Sequence, residues 1–179
     1  VSAEASARNA FEAGTRKAIP AVLVYLRQDA DILMLHRGER PGDFHAGKWN
    51  GLGGKLEPGE SPREAAAREV CEEAGIRLPA ERYHHLGLLQ FPNFKPHKGE
   101  DWLCWVLGAD LTAEERSEVL SQSAEGSLHW LPISRIPSLN LWPGDRQFLP
   151  WVFERRPFCG TFWYEAGEVA RSELYHWGE

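Results

Sequence analysis

The segment from Gly54 to Ile76, Gly-Lys-Leu-Glu-Pro-Gly-Glu-Ser-Pro-Arg-Glu-Ala-Ala-Ala-Arg-Glu-Val-Cys-Glu-Glu-Ala-Gly-Ile, constrains the fold more than any other part of the chain. It reads as a glycine loop, a helix start, a helix and a helix stop. Ser61 is placed to cap the helix, Pro62 suits the first helical position, and Glu64 completes a capping box. Gly75 is a left-handed terminator after the last turn. Ala66, Val70 and Ala74 fall on a core-facing stripe. Beside it, Glu69, Glu72 and Glu73 stand at i, i+3 and i+4 and share one side.

Acids in that place are costly. Glu72 and Glu73 lie in the last turn, where the helix dipole disfavours negative charge by roughly 0.3–1 kcal/mol each. Three close carboxylates also repel one another, and a bound divalent cation removes both penalties. An all-oxygen ligand set suits a hard ion, Mg2+ or Mn2+. A lone Glu-Glu pair is most often a solvated acidic face. Here the glycine loop, the capping box, Arg68 and the glycine stop come in one register.

That register is G-x5-E-x7-R-E-U-x-E-E-x-G-U, with U aliphatic. Gly54, Glu60, Arg68, Glu69, Val70, Glu72, Glu73, Gly75 and Ile76 fill every fixed position. The pattern resembles the box of Nudix hydrolases, which split a diphosphate linkage in substrates built as a nucleoside diphosphate joined to another group. The box covers 23 of 179 residues, so it fixes reaction class better than substrate. The resemblance implies an α/β/α sandwich with a curved mixed sheet. Glu69, Glu72 and Glu73 would hold Mg2+, with the Gly54 carbonyl a further ligand. The candidate catalytic residues are Glu72, Glu125 and Arg68. Glu72 or Glu125 would take the proton of the attacking water, while Glu60 and Arg68 brace the loop and helix by an ion pair. Lys55 would meet a phosphate as a point charge.

A second resemblance extends over most of residues 20–165. Lys48-Trp49-Asn50-Gly51-Leu52-Gly53-Gly54-Lys55, Trp130-Leu131-Pro132, Ile136-Pro137, Leu141-Trp142-Pro143 and Phe158-x-Gly160 are similar to the Nudix group that hydrolyses oxidised purine nucleoside triphosphates such as 8-oxo-dGTP. By this likeness Asn50 and Asp145 hydrogen-bond the purine edge. Phe44, Phe91 and Trp142 line or stack against it. Glu125 matches an acidic loop residue that contacts metal or water. One position departs: the group carries two consecutive acids after Trp-Pro, and this chain has Gly144-Asp145. From the residues alone, Trp142 is held extended by Pro143, and Asp145 serves equally as a helix cap.

Competing readings fail on spacing or composition. Gly51-x-Gly53-Gly54-Lys55 lacks the four-residue gap and the Ser or Thr of a phosphate loop. No H-E-x-x-H occurs, and His84-His85 reads as strand or surface. A net charge of −6 argues against binding a nucleic acid polymer but not against a small nucleotide held through a metal. No apolar run is long enough for a membrane span and no signal peptide is visible, so a cytoplasmic protein is expected. It would act as a monomer or homodimer. Cys71, Cys104 and Cys159 are expected to be reduced, buried thiols.

The length suits one domain with a sizeable core. Residues 1–18 are expected to form an N-terminal arm or short helix, and 19–179 a single domain. Strands are predicted at Ile19–Leu26, Asp31–Arg37, His85–Phe91, Trp102–Leu107, His129–Pro132 and Phe158–Glu165. Helical character is predicted at Leu111–Ser121 and Asp145–Arg155. Most of the eight tryptophans are expected in the core. Ser121–Ser127, small and polar, reads as a flexible loop carrying Glu125.

Overall fold

A computed structural model describes residues 13–38 and 46–177. Strands β1 (Lys17–Gln28), β2 (Asp31–Arg37), β3 (Trp49–Asn50), β4 (His84–Lys95), β5 (Glu100–Asp110), β6 (Gly126–Pro132), β7 (Phe158–Glu165) and β8 (Glu168–His176) form one mixed sheet. Its order is β3-β2-β1-β5-β4-β7-β8, with β6 also paired to β2. The β1/β5 and β4/β7 pairs are parallel and the others antiparallel. The α-helices among the described residues are α1 (Pro62–Ala74), α2 (Ala113–Glu118) and α3 (Asp145–Glu154). The expected mixed α/β sandwich with a curved sheet is what forms.

Curvature arises where β1 and β2 part. They pair only next to their turn, Arg27 with Ile32 and Gln28 with Asp31. Beyond that point β2 pairs with β3 on one edge and β6 on the other. The vacated edge of β1 is taken by the glycine loop.

Alternation of side chains along β1 divides the core in two. Val22, Val24 and Leu26 face α1, packing with Ala65, Ala66, Val70 and Ala74. Ala21 and Tyr25 face the other way, into a cluster with Phe148, Leu149, Val152, Phe158 and Phe162 from α3 and β7. The chain therefore has an α1 face and an α3 face.

Helix α1 carries its predicted punctuation. The Ser61 hydroxyl accepts from the Glu64 amide at 3.4 Å, and Glu64 Oε2 accepts from the Ser61 amide at 2.8 Å. Gly75, at φ 76°, returns its N–H to the Cys71 carbonyl. Helix α2 is shorter than the predicted Leu111–Ser121 because Val119, extended, ends it. Strand β8 is not predicted. It is an outer strand whose charged residues face solvent, and the left-handed Ala166-Gly167 pair turns β7 back into it. The short β3 lies inside a segment predicted as loop. The predicted N-terminal helix or arm falls mainly on residues outside those described, and β1 starts at Lys17, before the expected Ile19.

The tryptophans correct the expectation. None of the eight is fully buried, and Trp177 is 59% exposed. The large fully buried side chains are instead Tyr25, Tyr83, Phe148, Phe158 and Phe162 with leucines. The indoles sit where the core meets solvent and carry cations on their faces: Lys48 on Trp142, Lys95 on Trp102, Arg116 on Trp130 and Arg171 on Trp163. Cys104 and Cys159 are buried free thiols, while Cys71 is only partly covered.

Candidate active site

The glycine loop is laid along β1 by hydrogen bonds. Val24 N–H donates to the Leu52 carbonyl at 2.7 Å, Leu52 N–H to Val24 at 3.0 Å, and Val22 N–H to the Gly54 carbonyl at 2.8 Å. Gly53 has φ 139°, and a Cβ there would overlap the Val22 carbonyl oxygen. A Cβ on Gly54 would overlap the Glu69 carboxylate. The absence of side chains thus lets carboxylates from α1 reach the loop backbone. Glu73 Oε2 accepts from the Gly53 amide at 2.9 Å.

Arg68 ties loop to helix. Its Nε donates to Glu60 Oε1 at 2.8 Å, and its terminal nitrogens donate to Glu69 Oε1 at 2.8 Å, Glu60 Oε2 at 3.0 Å and the Lys55 carbonyl at 3.0 Å. The bond from Arg68 holds the Glu60 carboxyl below its ordinary range. Burial raises Glu69, with Arg68 pulling the other way. Glu73 is pushed well above the usual carboxylate range, chiefly by burial, with Glu125 and Glu69 adding to the rise. Glu125 also ion-pairs with Arg37. Glu72 points outward, its side chain 60% exposed, with Arg68 3.6 Å away.

These residues fit a hard divalent cation. The donors are carboxylate oxygens, and Glu73 is buried among acids whose repulsion a cation would relieve. Among the described residues no three acids already surround a single point.

A second constellation lies on the α3 face. Lys48 Nζ donates to Asn140 Oδ1 at 3.0 Å and to the Leu141 carbonyl at 3.3 Å, and sits 4.9 Å from the Trp142 ring centre. Trp49 N–H donates to the Asn140 carbonyl at 3.1 Å. These bonds stitch the strand bearing Asn50 to the segment bearing Trp142 and Asp145. Tyr164 stands edge-on to Trp142 at 6.2 Å, and its hydroxyl accepts from the Gly144 amide at 2.9 Å. Phe91 contacts Tyr164 and Phe162 at 6.3 and 6.1 Å. Asp145, buried at the first position of α3, is pushed up to about 7 by that burial, with Lys48 opposing. It caps nothing: Gly144 occupies the cap position.

Residues 17–152 match the NUDIX domain. The chain belongs to the Nudix hydrolase family. It is 31% identical over 143 residues to the oxidized purine nucleoside triphosphate hydrolase of Mus musculus, covering 80% of this chain and 85% of that protein. To the protein of the same description from Danio rerio it is 32% identical over 157 residues, covering 87% and 91%. Among solved structures it is similar to a mutator MutT protein from Bacillus halodurans, with a TM-score of 0.73, 26% identity, and 87% and 97% of the two chains covered.

The Nudix loop from Lys48 to Lys55 links both constellations: Lys48 and Trp49 bond to the Asn140–Leu141 segment, and Gly53 and Gly54 lie against the acids. Asn50, the register partner of Leu35, shares Leu35's side of the sheet, the α1 face. Phe44 lies outside the described residues. The Gly54 carbonyl already accepts one hydrogen bond, leaving one lone pair for another partner. The Lys55 ammonium lies 5.4 Å from the Trp102 ring centre. Glu125, expected on a flexible loop, sits in a hydrogen-bonded turn: Ser123 Oγ accepts from the amides of Glu125 at 3.1 Å and Gly126 at 3.3 Å. Sequence reasoning missed Arg37, Lys48 and Tyr164 as site neighbours. The glycine at 144 was the available signal for Tyr164, since a missing side chain leaves space for another. An apolar groove of about 520 Å3, lined by Ile136, Leu141, Leu149 and Phe153 among others, contains none of the predicted site residues.

Proposed function

We propose that this Nudix hydrolase is a Mg2+-dependent pyrophosphohydrolase of purine nucleoside triphosphates, with 8-oxo-dGTP the best candidate substrate. The observation that carries the reading is the buried Asp145 beside Trp142 and Tyr164, joined through Lys48 to the strand of Asn50. A flat base would stack on the Trp142 indole. Asn50 offers a donor and an acceptor to the purine edge. Asp145 accepts when ionised and donates when protonated. The descriptions of the mouse and zebrafish relatives support the same substrate class.

Glu69, Glu72, Glu73 and the Gly54 carbonyl would hold Mg2+, or Mn2+ in its place. When bound, the ion supplies charge neutralisation at the phosphate oxygens and an acidified water. Water oxygen attacks one phosphorus of the anhydride between the α- and β-phosphates, the bond from that phosphorus to the bridging oxygen breaks, and monophosphate and pyrophosphate leave. Glu125 or Glu72 accepts the water proton. Arg68 keeps Glu69 and the loop in place, and Lys55 meets a phosphate.

The acidic chain suits a small nucleotide in the cytoplasm better than a nucleic acid polymer, and residues 19–179 act as one Nudix unit, alone or as a homodimer. Among the described residues no helix is long and apolar enough to cross a membrane. A role in clearing damaged nucleotides before DNA synthesis follows from the substrate. A catalytically silent nucleotide-binding regulator is the alternative, and the complete set of box acids speaks against it. The test is kcat/KM with Mg2+ for 8-oxo-dGTP, dGTP, the other common triphosphates, a dinucleotide and a nucleotide sugar. Preference for 8-oxo-dGTP, with monophosphate and pyrophosphate as products, is expected. Preference for a pyrimidine or a sugar nucleotide would overturn the substrate, and no turnover at all would overturn the enzyme.

A further inference from the structure

We propose that the Tyr164 hydroxyl reads the purine base as the partner of Asp145, and that the pair selects 6-oxo over 6-amino purines. The proposal rests on the base docking against Trp142, as above.

The geometry begins at Gly144. It has an ordinary helical φ of −67°, so the backbone does not require glycine. The space does. A Cβ at 144 would lie 2.5 Å from the Tyr164 hydroxyl and 3.2 Å from Phe162 Cδ1. Tyr164, arriving from β7, therefore fills the place of a side chain at 144 and brings a polar group next to residue 145. Contacts with Trp142, Phe91 and Phe94 fix its ring.

The hydrogen bonding gives this hydroxyl a polarity. Its oxygen already accepts the Gly144 N–H at 2.9 Å. Its proton is left to donate, and burial with nearby Asp145 keeps that proton on across the working pH range. Tyr164 is thus a fixed donor, and Asp145 beside it is an acceptor at a pH above about 7, where it is ionised. A guanine-type edge presents a 6-carbonyl acceptor next to an N1–H donor, which complements the pair. An adenine-type edge presents a 6-amino donor next to a bare N1, the reverse order. It would ask the tyrosine oxygen to accept a second time.

The experiment compares 8-oxo-dGTP with 8-oxo-dATP, whose 6-amino group lies beside a bare N1, in wild type, Tyr164→Phe and Gly144→Ala. Loss of one neutral hydrogen bond corresponds to about a three- to tenfold effect. Tyr164→Phe should lower kcat/KM for 8-oxo-dGTP by about that factor, mostly through KM, and affect 8-oxo-dATP less. Gly144→Ala, which keeps the hydroxyl but displaces it, should shift the ratio the same way. A merely structural tyrosine would lower Tm and reduce both substrates alike, so an unchanged ratio overturns the inference while leaving the enzyme's function standing. If wild type hydrolyses neither purine triphosphate, the functional reading falls and this inference falls with it.

Discussion

Glu125, in the turn before β6, lies near enough to Glu73, in the last turn of α1, to disfavour the charge on its carboxyl group. Burial and this neighbouring acid together raise Glu73 above the usual carboxylate range. Glu73 is buried and bonded to the Gly53 amide; Glu125 is partly exposed and paired with Arg37. The exposed member is the better placed to exchange a proton with water. Glu125→Gln should therefore lower kcat by on the order of 10²-fold with Mg2+ saturating. A loss under about threefold in steady-state assays would leave Glu125 a surface acid.

Glu72 separates chemistry from stability. Its side chain is largely exposed, so Glu72→Gln should change the unfolding free energy by no more than about 0.5 kcal/mol. Turnover should nevertheless fall severely, and EDTA should abolish it in the wild type. Near wild-type kcat for Glu72→Gln would remove it from the metal site.

Arg68 should behave in the opposite way. It bonds Glu60, Glu69 and the Lys55 carbonyl at once. Arg68→Ala should cost about 1.5–3 kcal/mol in urea unfolding, the range for bonds to charged groups. Arg68→Lys should recover little, because an ammonium cannot reproduce the fork. Full recovery by lysine would reduce the role to simple charge.

Asp145 predicts a pH dependence. Burial raises its folded pKa to about 7, above its unfolded value of 3.8. A raised carboxyl binds its proton more tightly in the folded state, so its stabilising effect is complete below the unfolded pKa. That effect is lost as pH rises from about 4 through 7. Asp145→Asn cannot ionise, so its stability relative to wild type should rise between pH 5 and pH 8. Urea midpoints that differ by the same amount at both pH values would contradict this. Asp145→Ala should also raise KM for 8-oxo-dGTP and flatten its preference over dGTP.

Restoring an acid at 144 should fail unless Tyr164 gives way. Gly144→Asp forces its Cβ against the Tyr164 hydroxyl, an overpacking cost of about 1–3 kcal/mol. Adding Tyr164→Phe should recover part of that cost, so the double variant should be more stable than the two single effects sum to. Strict additivity in denaturation midpoints would show that the two positions do not compete for space.

Helix α1 was legible because its signals are local: a capping serine, a proline, a glycine stop and an apolar stripe all lie within one segment. The grouping of its acids was legible for the same reason, but their different burial was not, since Glu73 and Glu72 are distinguished by the loop that folds over one of them. Asp145 could be placed at a helix start, yet its electrostatic neighbours Lys48 and Tyr164 come from distant segments. Tyr164 itself carries no sequence signal beyond strand alternation. The tryptophans misled because a large apolar ring suggests interior, whereas cations settle on faces left at the boundary. Strand β8 escaped notice because one charged, solvent-facing strand looks like any polar tail.

The two-sided alternation of β1 has a consequence for divergence. The acids that would perform hydrolysis belong to the α1 face, and Asp145 and Tyr164, which would help to choose the base, belong to the α3 face. Substitutions around Gly144, Asp145 and Tyr164 can retune substrate choice without disturbing Glu69, Glu72 or Glu73. A lineage carrying this scaffold can change its diet while keeping its teeth.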